Sequence, residues 1–221
     1  MVRSEGLRLR TIAVLLLAVA LAAALVALAA LAGPAQARTR TVTKTFANTS
    51  AIEIPNNSDT QTNGVASPYP SNKGVSGLRR GRILDVNLIL KNVSHTCLSD
   101  LDVLLVGPRG QNALVMSDVG ACTLTSDVTL TLDDEAINLV PADAALLSGS
   151  YRPNDDDIVN STDDDSLPLP APTLSGGSAL SVFDATNPNG TWQLYVEDQW
   201  AGDAGEFAGG WALTIEAKVR R

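Results

Sequence analysis

Two runs near the end of the chain carry its clearest alternation of apolar and polar positions. In 192–197, Trp192, Leu194 and Val196 point one way, and Gln193, Tyr195 and Glu197 the other. In 211–216, Trp211, Leu213 and Ile215 alternate with Ala212, Thr214 and Glu216. A period of two marks a half-buried strand in an antiparallel sheet. Each run opens on a tryptophan, so Trp192 and Trp211 are expected to anchor one core. Asn189-Gly190 before the first run is a turn signal, and Gly209-Gly210 before the second lets backbone pass close by.

The same pattern recurs upstream. Ile52 and Ile54 flank Glu53, predicting a short strand. Within 83–93, Val86, Leu88 and Leu90 share one face while Asp85, Asn87 and Lys91 take the other, which reads as a central strand. Further strands are predicted at 101–106, 113–117, 128–132 and 179–183. The Asn-, Ser-, Gly- and Pro-rich stretch 56–74 predicts a long surface loop. Residues 38–51 read as a polar lead and 218–221 as a tail. Within 146–174, the carboxylates at 155–157 and 163–165 precede Pro168, Pro170 and Pro172. Proline at every second position excludes a central strand, so a long exposed excursion is expected. Nothing after residue 37 has helical periodicity. Many short strands joined by Gly, Pro and Asn turns predict an all-β sandwich over 52–217.

Composition changes this picture at the N-terminus. Arg3, Arg8 and Arg10 precede an apolar run at 12–32, then Gly33-Pro34 and Ala35-Gln36-Ala37. This is the form of a signal-peptide helix cleaved after residue 37; an uncleaved anchor is the alternative. Either way the chain is expected to be exported, hence secreted or held at the cell surface. The net charge of −8 becomes more negative once residues 1–37 are gone. A surface of that sign repels nucleic acid and anionic lipid, and no basic stripe is visible along the sequence. Neither nucleic acid nor, after cleavage, membrane is therefore an expected partner.

The residues 187–198 read Asn-Pro-Asn-Gly-Thr-Trp-Gln-Leu-Tyr-Val-Glu-Asp, and a Gly/Asp loop separates them from Gly209-Gly210-Trp211-Ala212-Leu213-Thr214-Ile215. Upstream stand Ser94-His95-Thr96 and then 100–108, Asp-Leu-Asp-Val-Leu-Leu-Val-Gly-Pro; a weaker match is 66–71. In this order and spacing these blocks resemble the P domain, or Homo B domain, of proprotein convertases, in its bacterial secreted form. The resemblance spans nearly all of the chain after the leader. It implies a jelly-roll, galactose-binding-like sandwich that is itself non-catalytic. In convertases such a module follows a subtilisin-like catalytic domain, which is missing here, and packs against it. Its loops sometimes hold calcium.

Candidate chemistry is sparse. His95 is the single histidine, and no Gly-x-Ser-x-Gly elbow accompanies it, so a serine-type triad has little to draw on. Its expected role is structural. If Val106 faces Ala113 across a hairpin turn, the same register sets Cys97 opposite Cys122. In an oxidising compartment a disulfide is favoured over two separate buried thiols and contributes about 3 kcal/mol. One histidine without a Cys-x-x-Cys pair makes no normal zinc site. Calcium takes about six to eight oxygens, and Asp198 and Asp203, joined by Asp100 or Asp102, are the candidate ligands. Asp102 has a second reading as a buried residue bonding backbone amides. The clusters at 155–157 and 163–165 read as a solvated face. Trp200 and Phe207 fall in the loop between the closing strands, where folding back to plug the sandwich is the expected role. Alternatively Trp200 contacts a partner or stacks on a sugar.

The reading is thus a secreted, non-catalytic binding or stabilising module for an extracellular partner. Its alternatives are a protease-associated accessory protein acting on a subtilisin-like serine endopeptidase in trans, and a carbohydrate-binding module.

Overall fold

The alternating runs become inner strands of two sheets in the computed structural model, which describes residues 38–54, 64–156, 166–175 and 177–220. The leader 1–37 and the carboxylates at 157 and 163–165 lie outside the described residues. In chain order the strands are β1 (Thr39–Asn48), β2 (Ile52–Ile54), β3 (Gly64–Val65), β4 (Ser71–Val75), β5 (Arg82–His95), β6 (Leu101–Val106), β7 (Asn112–Ser117), β8 (Thr125–Leu132), β9 (Gly149–Tyr151), β10 (Asn154–Asp155), β11 (Gly190–Asp198), β12 (Gly205–Phe207) and β13 (Trp211–Arg220). Two single-turn 3₁₀ segments, Leu98–Asp100 and Leu180–Phe183, are the helical pieces among the described residues.

One sheet runs β1-β13-β5-β12-β2, with β8 along the other edge of β5 and β9 parallel to β8. The second runs β10-β7-β6-β11, with β3 and β4 both on the outer edge of β11. Both sheets are mixed, because β9 and β10 join in parallel. Trp192, Leu194 and Val196 of β11 share one core with Trp211, Leu213 and Ile215 of β13. The two sheets therefore face each other across that core, which is a sandwich. Both tryptophans are fully buried. Burying an indole also requires a partner for its N–H. Trp192 donates to Pro188 O at 2.9 Å and Trp211 to Ser71 Oγ at 3.0 Å.

Several segments depart from their sequence reading. The polar lead is strand β1, paired with β13 from Thr39↔Arg220 to Asn48↔Trp211, so 218–220 are strand as well and not tail. The stretch expected as a loop contributes β3 and β4, both paired with β11. Residues 180–183 form a 3₁₀ turn rather than a strand. Leu180 and Phe183, three apart, both point into the core, and the Asp134 carboxylate accepts from the amides of Leu180 and Ser181 at 3.0 and 2.8 Å. The β6–β7 hairpin begins one residue tighter than expected, at Val106↔Asn112. A bulge then shifts the register to Val103↔Met116.

The proline-rich stretch after residue 166 is no solvated excursion. Leu167 and Ala171 are buried against Leu104, Val106, Leu114 and Tyr195 on the outer face of the second sheet. Tyr69 and Tyr195 pin the stretch by donating to Pro168 O and Pro170 O, at 2.8 and 3.3 Å. Proline carbonyls suit this role: they accept, and the missing N–H asks for no partner.

Candidate functional site

The elements converge on a charged cluster at one end of the sandwich. His95 closes β5 in one sheet and Asp198 closes β11 in the other. Alternation along β11 sets Asp198 on the same face as Trp192, Leu194 and Val196, toward the facing sheet. There His95 Nε2 lies 3.3 Å from Asp198 Oδ2, with both side chains fully buried. The contact is electrostatic rather than a well-aligned hydrogen bond. On the other side of the ring, Cys97 N donates to Nδ1 at 3.2 Å, and Nδ1 lies 2.8 Å from Cys97 O. A β-carbon at Gly205 would collide with the imidazole and with Ser94 O, so glycine is what lets β12 close over the ring.

The segment from Gln199 to Ala204 is tied down at both ends. Gln199 N donates to Asp100 O at 2.8 Å, and Trp200 N to Asp198 Oδ1 at 3.1 Å. Thr96 Oγ1 donates to Asp203 Oδ1 at 2.6 Å and accepts from Ala204 N at 3.1 Å, while Thr96 N reaches Ala204 O at 3.2 Å. Within this clasp Trp200 is 60% exposed, so it does not plug the sandwich. Phe207 does: as the last residue of β12 it is fully buried in the core.

Of the four candidate calcium ligands, Asp102 is set apart from Asp198, while Asp100 lies within electrostatic reach of Asp198 and Asp203. Glu197 lies opposite Asp102, and Asp198 opposite Leu101. Leu101 belongs to the core, so Asp102 stands on the outer face of the sheet and Asp198 on the inner one. Asp102 Oδ2 accepts from Gln199 Nε2 at 2.9 Å. Asp102 and Glu197 lie near Tyr69, whose hydroxyl pKa is raised, first by burial and then by Glu197, Tyr195 and Asp102. Asp203 is held by Thr96. Asp100 sits beside the disulfide, its Oδ1 3.1 Å from Cys97 Sγ. Its pKa is raised to about 6, chiefly by burial and then by Asp198 and Asp203. Among the described residues, three potential ligands with donor atoms within 4.8 Å of one another occur at Cys97, Asp100 and Cys122. The two sulfurs there are joined to each other, so thiolate ligation is closed. Calcium needs several oxygens converging on one point, and Asp100, Asp198 and Asp203 are the candidates that share this end of the sandwich.

The His95–Asp198 pair is fully buried. The hydrogen-bond contacts of His95 among the described residues are to the Cys97 backbone, and its other ring nitrogen faces Asp198. What the end of the sandwich offers outward is Trp200 on a tethered loop. Sequence reading missed three residues that build it: Gln199, which holds Asp102; Thr96, which ties the loop; and Glu197, buried opposite Asp102. Burial of Glu197 was legible in hindsight, because it belongs to a strand whose outer face also carries Tyr195.

No protein-family model and no curated protein matches this chain. Among solved structures, it is similar to a serine protease of Aeromonas sobria, with 14% identity and a TM-score of 0.36. The match covers 85% of this chain and 28% of that one. A complex of the Aeromonas sobria serine protease and the chaperone gives 12% identity and a TM-score of 0.34, over 89% of this chain and 29% of the matched one. The chain thus spans less than a third of the length of these two solved chains.

Proposed function

We propose that this chain is an exported, non-catalytic β-sandwich of the P/Homo B-like, jelly-roll type that binds a protein partner through the loop carrying Trp200. The observation that carries this reading is an exposed tryptophan on a loop immobilised from both sides. A large aromatic held rigid before binding loses little conformational entropy on docking, and tryptophan is enriched at binding hot spots. The burial of His95 and Asp198 supports the absence of catalysis. The two sequence blocks that resemble the P domain are used on the core, the inter-sheet contact and the loop clasp.

The modules that this chain resembles pack against subtilisin-like catalytic domains. A secreted subtilisin-like protease supplied in trans is therefore the first partner to offer. The immobilised chain should retain it from solution, and Trp200→Ala should weaken retention by roughly tenfold or more. Unchanged retention by Trp200→Ala would place the interface elsewhere. A glycan-array signal that disappears in Trp200→Ala would replace the protein partner with a sugar. Casein hydrolysis by the pure chain, lost on His95→Gln with an unchanged circular-dichroism spectrum, would end the non-catalytic reading.

A further inference from the structure

The opposite end of the sandwich holds a feature that the linear sequence hides. Where β5 starts and β13 finishes, the turn before β5, the β6–β7 turn and the residues leading into β11 line an open surface cavity of about 730 Å³. Five lining residues are cations, Arg80, Arg82, Arg109, Lys218 and Arg220, and none is a carboxylate. This runs against composition, since the whole chain carries a net charge of −8. Among the described residues the recorded salt bridge is His95–Asp198, so none of the five cations is neutralised by an ion pair. Arg82 is oriented by donating from Nη1 to Ala185 O at 2.7 Å. The other four carry exposed side chains.

Backbone conformation singles out the same place. Five described non-glycine residues have positive φ: Arg80, Asn92, Asp118, Asp127 and Ala185. Asn and Asp tolerate this region because their short polar side chains bond locally. Arg80, at φ 45°, and Ala185, at φ 58°, have no such help, and both line the cavity. Strain of this kind collects where a ligand site requires a particular side chain or chain path.

We infer that this cavity binds a compact ligand bearing two or more phosphate-type oxyanions. Guanidinium forks match the geometry of such oxyanions and hold them in bidentate pairs. The volume falls within the range of roughly 300–1,000 Å³ typical of ligand pockets, so it admits more than one anionic group. The acidic remainder of the surface repels a long polyanion such as nucleic acid, while a compact ligand meets only the local cations. The site lies on the order of 40 Å along β5 from the Trp200 end, so its failure or success is independent of the proposed protein interface.

The test is calorimetric titration of the purified chain with inorganic pyrophosphate at low ionic strength, with cosedimentation on phosphatidylglycerol–phosphatidylcholine vesicles in parallel. Saturable pyrophosphate binding is expected. It should weaken by roughly tenfold or more in Arg109→Gln/Arg220→Gln and stay within about twofold in Arg152→Gln, which removes a charge outside the cavity. Cosedimentation that pyrophosphate competes away, and that the double variant loses, assigns the phosphate to a lipid headgroup. Pyrophosphate binding without cosedimentation assigns it to a soluble phosphate compound. The inference is overturned if neither probe binds, if the double variant binds as the parent does, or if Arg152→Gln loses as much as the double variant.

Discussion

Asp100 and His95 sit close in sequence but take different roles, and burial separates them. His95 is enclosed by Gly205, the Cys97 backbone and Asp198, so the imidazole bridges two sheets from a fully buried position. Asp100 is only half-buried, and its pKa is raised from 3.8 to about 6. The folded state therefore holds this proton more tightly than the unfolded chain does. The resulting stability is full below about pH 4 and is lost as pH rises through 6. Asp100→Asn removes that loss. Relative to the parent, the variant should gain about 1 kcal/mol between pH 4 and pH 8, a value discounted for solvent screening. Urea denaturation at the two pH values measures it, and an equal difference at both would contradict the assignment. Trp200 belongs to this scale too. With 60% of its surface exposed, Trp200→Ala should leave the unfolding midpoint nearly unchanged, which separates loss of binding from loss of fold.

At the scale of elements, legibility followed burial. β5, β8, β11 and β13 alternate clearly because one of their faces packs into the core, and the hydrophobic pattern records that packing. β1 does not: of Thr39–Asn48 only Val42 and Phe46 pack on the core, and the strand is held by its backbone ladder to β13. An edge strand of this kind has little hydrophobic signature to read. β4 was hidden for another reason. Its inward residue Ser71 is polar, buried in order to accept from the Trp211 indole and from Asn48. The basic cavity was illegible because its cations come from separate segments that only the fold gathers. The stretch after residue 166 misled through its prolines, which exclude a central strand but not a covering strap. Leu167→Ala should therefore cost about 2 kcal/mol in chemical denaturation, whereas a merely solvated excursion would lose almost nothing.

Over the whole molecule, the disulfide and the pairing of distant strands set the stability. Cys97 and Cys122 close a loop with a sequence separation of 25. Replacing both by alanine should cost about 3 kcal/mol, or roughly 10 °C in melting temperature for a domain of this size. A loss under about 1 kcal/mol would show that the crosslink constrains little. Millimolar calcium is the direct test of the Asp100, Asp198 and Asp203 candidates: a melting temperature that stays where it is removes the ion. A rise abolished by Asp198→Asn with Asp203→Asn would instead show that these carboxylates hold it. β13 has a further consequence. It bonds β1 along one edge and β5 along the other, joining residues 39–48 to residues 82–90. Until residues 211–220 are made and free to pair, residues 39–48 have no ladder to join. Assembly must then wait for the far end of the chain, and a nascent form lacking those ten residues would present β1 and β5 as open edges to chaperones, proteases and other copies of itself.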